Sequence, residues 1–114
     1  MSNKKEKVSS KEVGLEVGLV ISRFLYKTEH LHYGIWPDDL EIIPENVQEA
    51  QDLHSKLIID TIPDNVETIL DVGSGSGGLA EKLINEGYTV HCVSPSEYLA
   101  DAIEDKLGSK VKVY

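Results

Sequence analysis

The residues whose types and spacing suggest chemistry lie in one stretch, which reads Asp71-Val72-Gly73-Ser74-Gly75-Ser76-Gly77-Gly78. An apolar run precedes this stretch and a helical pattern follows it. Glycines permit a tight turn, and such a turn brings the unpaired N–H groups and the positive dipole end of the next helix to an anionic ligand group. The stretch therefore predicts a buried strand, a ligand-binding turn and a helix, in that order.

The glycine spacing fits two kinds of ligand. Gly73, Gly75 and Gly78 match the dinucleotide pattern G-x-G-x-x-G, whereas Gly73, Gly75 and Gly77 match G-x-G-x-G. Asp71 helps to decide, because a carboxylate at the end of the strand opposes a pyrophosphate and suits a ligand that carries a cation. A ligand with an ammonium and a sulfonium group is the better electrostatic fit. A domain of an oxidoreductase that binds NAD(P) or FAD remains the alternative.

Around this turn, strands alternate with helices in a pattern typical of parallel βαβαβ units. The predicted elements are strands at Val66–Val72, Tyr88–Val93 and Val111–Tyr114, and helices at Leu79–Glu86 and Glu97–Leu107. The predicted fold class is α/β, with a Rossmann-like parallel half-sheet of strand order 3-2-1 and its ligand site at the first strand. Cys92, in the second strand, is expected to be a buried core residue.

Two helices are predicted before the first strand. Residues 1–12 form a short basic tail that we expect to be disordered. Residues 13–62 form a helical extension. One helix runs from Val13 and ends before His30, and its apolar residues share one face: Val13, Val17, Val20, Ile21, Phe24 and Leu25. The other runs from Pro44 to Pro63, with Leu57 in its apolar stripe. The loop between them is rich in aromatic residues and is expected to pack on an apolar surface. Residues 63–114 form the cofactor-binding core.

Composition limits the partners of this chain. The net charge is −9, with four lysines against two glutamates in residues 1–12 and seven basic against eighteen acidic residues in the remainder. Such an acidic surface repels phosphate backbones, so nucleic acid is not expected as a partner. No membrane segment is expected either, and the single cysteine fits a cytoplasmic location.

The turn and the aromatic loop together resemble a known family. Ile69-Leu70-Asp71-Val72-Gly73-Ser74-Gly75-Ser76-Gly77 is similar to the first motif of class I S-adenosylmethionine-dependent methyltransferases. His32-Tyr33-Gly34-Ile35-Trp36 is similar to the H-Y-G-x-W loop that precedes the core in several small-molecule enzymes of this type. The resemblance covers about residues 30–114.

The resemblance implies S-adenosyl-L-methionine as cofactor, a small-molecule methyl acceptor, and a role for each matching residue. Asp71 would orient the methionine ammonium, and Gly73 and Gly75 would let the backbone approach the ligand. The N–H groups of the turn, which also includes Ser74 and Gly77, would hold its carboxylate. Tyr33 and Trp36 would cover the cofactor. Catalysis would be largely positioning and desolvation, and His32 and Tyr33 are candidates for a base.

The chain departs from the family at two points. The family usually has an acidic residue at the end of the second strand that binds the ribose hydroxyls, and Ser94 stands there instead. The family core has seven strands, whereas this pattern reaches only the third. We therefore expect an incomplete cofactor-binding half, inactive alone, whose open sheet edge pairs with another chain. A non-catalytic partner chain is a further alternative. His30, His32 and His54 do not have the spacing of a metal site.

Overall fold

The computed structural model describes residues 7–114 and contains one parallel sheet. Its strands are β1 (Thr68–Val72), β2 (Thr89–Val93) and β3 (Val111–Val113), in the spatial order β1-β2-β3. Both pairs are parallel, and Asp71 lies opposite Cys92 in the register. The predicted α/β class and strand order are confirmed, with each strand one or two residues shorter than the pattern indicated.

Two helices cover one face of this sheet. They are α3 (Gly78–Asn85) and α4 (Glu97–Leu107). Ser96 caps α4 because its Oγ accepts a hydrogen bond from the Leu99 N–H at 3.2 Å. The core between helices and sheet consists of buried apolar side chains, including the predicted Cys92: Ala80, Leu83, Val90, Cys92, Ile103 and Leu107.

The other face of the sheet and the outer edge of β1 are open in the described part of the chain. Leu70 and Val72 point to this face, and their side chains are 59% and 71% exposed. Parallel sheets are normally covered on both faces, because their strands are apolar throughout. The open face of β1 is therefore a surface that suits further packing.

The N-terminal helix differs from its prediction. Helix α1 (Ser10–Ile21) begins three residues before Val13, so the end of the predicted tail forms its first turn. A π-helical turn (Ser22–Tyr26) follows, and Lys27 ends it in the left-handed region with a φ of 55°. The tail prediction for residues 1–6 lies outside the described residues. No helix that the structure describes in residues 7–114 has the length and apolarity to cross a membrane.

Helix α1 packs through a face that is not its most apolar one. Leu19 is buried, while Glu12 and Leu15 on the same side are partly buried. The Glu12 carboxylate accepts hydrogen bonds from the Ser96 Oγ at 2.8 Å and from the Tyr98 N–H at 3.3 Å, which attaches α1 to the start of α4. The apolar stripe seen in the sequence is exposed instead: Val13, Val17, Val20, Ile21, Phe24 and Leu25.

The loop before the second helix packs on that helix through polar and small residues. Pro44–Asn46 forms a 3-10 turn that leads into α2 (Val47–Asp60), as the proline predicted. Gln51 is only 3% exposed, and its amide accepts from the Thr28 hydroxyl at 2.7 Å and donates to the His32 carbonyl at 2.7 Å. The Ile35 N–H donates to the Ala50 carbonyl at 2.8 Å. Backbone hydrogen bonding to α2 thus fixes the loop.

Candidate functional site

The glycine turn has the backbone geometry that its sequence predicts. Gly73, Gly75 and Gly77 all have positive φ values, of 79°, 55° and 84°. Residues with a Cβ rarely adopt this conformation, so glycine at these positions is a backbone requirement. The N–H groups of Gly73 and Ser74 both donate to the Val93 carbonyl, at 2.9 and 3.3 Å. The turn is therefore held against the end of β2.

A cavity of about 350 Å³ lies between this turn and the loop that precedes α2. The His30 ring packs directly on Gly78, where a Cβ would lie 2.6 Å from the imidazole Cε1. The cavity wall combines the turn, the loop, α2 and the start of α3: His30, Leu31, His32, His54, Ser55, Ile58, Asp71, Gly73, Ser74, Gly75, Ser76, Gly78 and Leu79. We call this space the turn cavity.

Asp71 is the acidic residue of the turn cavity. Its Oδ2 is buried and has no hydrogen-bond partner within residues 7–114. Burial raises the pKa of the Asp71 carboxyl, and the neighbouring Ser74 hydroxyl offsets this rise only in part. A buried carboxylate without a partner is costly, and a cation at Oδ2 would remove that cost. A cationic group bound in the turn cavity would therefore stabilise the charged form of Asp71.

Donor groups face the same space. Gly75 and Ser76 line the cavity, and their amides make no hydrogen bond to protein groups within the described residues. Helix α3 begins two residues after Ser76, at Gly78. Free amides at a helix N-terminus favour an anionic group such as a carboxylate. An acceptor for a cation and donors for an anion therefore lie in one cavity, which suits a zwitterionic amino-acid group.

The turn is tied to the N-terminal segment through Glu29. The Ser76 hydroxyl donates to the Glu29 carbonyl, and the Ser74 hydroxyl donates to the Asp71 carbonyl at 2.6 Å. The Glu29 carboxylate pairs with Arg23 at 2.7 Å and with Lys106 of α4. Burial raises the pKa of Glu29, but the two cations outweigh it and the net pKa is lowered. These contacts fix the loop over the turn.

Three histidine rings lie in a row along the cavity wall, with the His30 and His32 rings edge to face and the His32 and His54 rings tilted. The ring centroids of His30 and His32 lie 5.0 Å apart, and those of His32 and His54 lie 4.4 Å apart. Burial and the neighbouring cations lower the pKa of His30, and burial with the adjacent imidazoles lowers the pKa of His32 to about 4. Both rings are therefore neutral near neutral pH, so they do not repel a cationic ligand.

His32 is poorly arranged to act as a base. Its Nδ1 accepts the Gly34 N–H at 3.1 Å, which assigns the proton of the neutral ring to Nε2. Taking up a further proton would break this hydrogen bond. A base role for His32 or Tyr33 has no further support from the geometry. The described residues hold no cluster of three His, Cys, Asp or Glu side chains suited to a metal ion.

The lowered pKa of His32 gives a testable dependence of stability on pH. Between about pH 6.5 and 4 the unfolded chain binds a proton at this position that the folded chain does not. The contribution of His32 to the free energy of unfolding should therefore be present in full above pH 6.5 and be lost towards pH 4. We expect this loss to be about 1 kcal/mol after allowance for solvent screening. The raised pKa of Asp71 acts in the opposite direction, with stability falling as pH rises through it.

Urea unfolding at a series of pH values in this window measures the slope. The His32→Asn variant should show a shallower slope than the parent chain. His91→Asn is the matched control, because His91 lies opposite Leu70 in the register of the sheet and does not line the turn cavity. Equal slopes in the parent chain and His32→Asn would contradict the assignment.

The structure separates the remaining predicted residues from the turn cavity. Ser94 follows β2, and its Oγ donates to the Ser96 carbonyl at 3.1 Å. Because Glu12 also bonds to Ser96, a carboxylate from α1 stands next to the position where an acid was expected. This contact spans 84 residues, and no local pattern signals it. Gly77 packs under the turn, where a Cβ would lie 3.1 Å from Ile103.

The aromatic loop residues line a second cavity. The Tyr33 side chain is 92% exposed, and Trp36 Nε1 donates to the Tyr33 carbonyl at 2.9 Å. Neither residue reaches the turn cavity, although the two cavities share the segment His30-Leu31-His32.

The sequence did not identify His54 and Ser55 as lining residues of the turn cavity. Both lie on α2, whose sequence pattern is that of an ordinary amphipathic helix.

Comparisons with known proteins support the fold and the resemblance. No protein-family model matches the chain. Over 57 residues it is 35% identical to an uncharacterized methyltransferase of Geobacillus sp. (strain WCH70), covering 49% of this chain and 27% of that protein. The crystal structure of the (4+2)-cyclase SpnF is similar to this chain with a TM-score of 0.65 and 19% sequence identity, and the match covers 90% of this chain and 41% of the SpnF chain. The second likeness shows a shared fold.

Proposed function

We propose that the chain is the cofactor-binding part of an S-adenosylmethionine-dependent methyltransferase with a small-molecule acceptor. The observation that carries this proposal is the buried, unpartnered Oδ2 of Asp71 beside free amides of the glycine turn. The sequence similarity to a protein named as a methyltransferase supports the same reading. A cytoplasmic location is part of the proposal and rests on the single free cysteine.

The residues of the turn cavity fit the methionine end of this ligand. Asp71 would accept from its ammonium, and the amides of Gly75 and Ser76 would bind its carboxylate. When bound, the cofactor supplies a methyl group on a positively charged sulfur, which an acceptor takes in line as the sulfur becomes a neutral thioether. The chain's own contribution is positioning and exclusion of water, by the loop held over the turn through Glu29.

The oxidoreductase alternative fits the cavity less well. A dinucleotide would bring a doubly negative pyrophosphate to the turn, next to a carboxyl that burial already makes costly to ionise. Repulsion between the pyrophosphate and the Asp71 carboxylate would weaken dinucleotide binding. A cation at the same place lowers that cost. The charge on Asp71 therefore favours the sulfonium-bearing ligand.

Calorimetric titration of the full 114-residue chain with S-adenosylhomocysteine tests the proposal. We expect saturable binding that Gly73→Ala weakens about tenfold, because a methyl group there enters the turn cavity. Gly87→Ala is the matched control, since Gly87 also has a positive φ and open surroundings but lies outside the cavity. Absence of heat from folded protein, or tighter binding of NADH, would contradict the proposal.

We also propose that the chain associates with another chain through the open edge of β1. Light scattering on the same sample tests this association, and a monomer would contradict it.

A further inference from the structure

The second cavity has a volume of about 390 Å³ and lies between α1, its π-helical turn and the aromatic loop. Two aromatic rings, Tyr26 and Trp36, form part of its wall, and Tyr33 lies at its margin. The full lining is Gly18, Ser22, Tyr26, His30, Leu31, His32, Tyr33, Trp36, Val47 and Gln51. We call it the aromatic cavity.

The aromatic cavity contains no formally charged side chain, in a chain whose net charge is −9. Its two histidines have lowered pKa values and are neutral near neutral pH. The Gln51 amide is occupied by Thr28 and by the carbonyls of the loop. The hydroxyls of Ser22, Tyr26 and Tyr33 and the neutral imidazoles remain as side-chain groups that could bind a polar ligand edge.

From this lining, we propose that the aromatic cavity binds an uncharged, planar small molecule. A charged ligand would lose its hydration without gaining a counter-charge, which is costly. A planar apolar ligand instead gains contact with the Tyr26 and Trp36 rings. A single polar group on its edge can pair with the hydroxyl of Ser22 or Tyr26.

The relation to the proposed function lies in the shared wall. Because His30, Leu31 and His32 line both cavities, the two ligands would be separated by one layer of side chains. A molecule in the aromatic cavity would therefore lie beside the proposed cofactor without contacting it, and only this relation to a cofactor rests on the proposed function.

Gly18 allows a clean test of the aromatic cavity. It lies on α1, lines the cavity, and a Cβ placed on it meets no atom within 4 Å. A leucine side chain at this position would fill the cavity without a clash at its Cβ, and leucine favours the helix over glycine. Gly14 is the matched control, since it lies one turn earlier on α1, has equally open surroundings and does not line the cavity.

Trp36 is the only tryptophan in the chain and lies in the cavity wall, so its fluorescence reports binding directly. Titration with the uncharged fluorophore N-phenyl-1-naphthylamine should quench Trp36 and give sensitised probe emission in a saturable way. Gly18→Leu should weaken this binding about tenfold or more, because the leucine side chain takes up the space that the probe would fill. Gly14→Leu should bind like the parent chain.

Equal probe binding by Gly18→Leu and the parent chain would overturn the proposal, since the probe would then occupy the exposed apolar face of α1. Lack of saturable quenching in the parent chain would overturn it as well. Calorimetry with S-adenosylhomocysteine on the same variants separates the two claims. If Gly18→Leu loses the probe and keeps S-adenosylhomocysteine, both stand; if no variant binds S-adenosylhomocysteine while probe binding persists, only the proposed function fails.

Discussion

Replacing Asp71 by asparagine is expected to weaken S-adenosylhomocysteine binding about 10- to 100-fold, measured by calorimetry. The buried Oδ2 is the group that we assign to the ligand ammonium, and it has no protein partner within residues 7–114. Asparagine keeps the shape of the side chain and removes the charge. The loss should therefore be one of charge-assisted hydrogen bonding.

The same substitution should leave the unliganded chain as stable as before or more stable. Burial raises the pKa of Asp71, so its ionised form costs free energy in the folded state. Asp64→Asn is the control for the change in net charge, because Asp64 is exposed in the turn before β1. Equal binding of S-adenosylhomocysteine by Asp71→Asn and Asp64→Asn would contradict the assignment of Asp71 to the ligand site.

The largest loss of stability is expected from Gly34→Ala. Gly34 has a φ of 80°, and its added Cβ would lie 2.3 Å from the Ala50 carbonyl carbon, 2.5 Å from its oxygen and 2.6 Å from the Gln51 nitrogen. All three are backbone atoms of α2 and cannot rotate away. Overpacking with backbone strain should cost about 3 kcal/mol or more, measured by urea unfolding.

Gly14→Ala is the control for this prediction, because its Cβ would meet no atom within 4 Å and alanine favours the helix. It should raise the free energy of unfolding by up to about 1 kcal/mol. Since the loop around Gly34 lines both cavities through His30-Leu31-His32, Gly34→Ala should also weaken the binding of S-adenosylhomocysteine and of the fluorescent probe. An unchanged unfolding midpoint would mean that the loop packs elsewhere in solution.

The core of the fold could be predicted from the sequence because its signals are local. Alternation of strands and helices predicted the parallel sheet and its order. The predicted bounds of the last helix, Glu97–Leu107, are confirmed as those of α4. Positive φ at Gly73 and Gly75 follows from the glycine pattern in the same way.

The N-terminal half was less predictable because its contacts are polar and distant in sequence. The apolar stripe of α1 suggested a core-facing surface, yet the helix packs through Leu19 and the Glu12 contact with Ser96. In α2, Leu57 was predicted to pack and is exposed, whereas Gln51 and Ser55 are buried. Periodicity identifies an amphipathic helix and does not show which neighbour each face meets.

The candidate site was predictable only on the side of the glycine turn. Asp71 and the turn follow from one continuous motif, but the opposite wall comes from the loop and from α2. His54 and Ser55 carry no sequence signal for this role. Tyr33 and Trp36 were expected to cover the same ligand, and the structure places them on the aromatic cavity instead.

The attachment of the loop to the glycine turn bears on the order of folding. The Ser76 hydroxyl reaches the Glu29 carbonyl across 47 residues, whereas β1 and β2 join through a single short crossover. Contacts of large sequence separation carry more loop-closure entropy, so we expect the wall of the turn cavity to form after the sheet. Amide hydrogen exchange should accordingly be faster in the loop than in β2. A ligand that bridges turn and loop would complete folding as it binds.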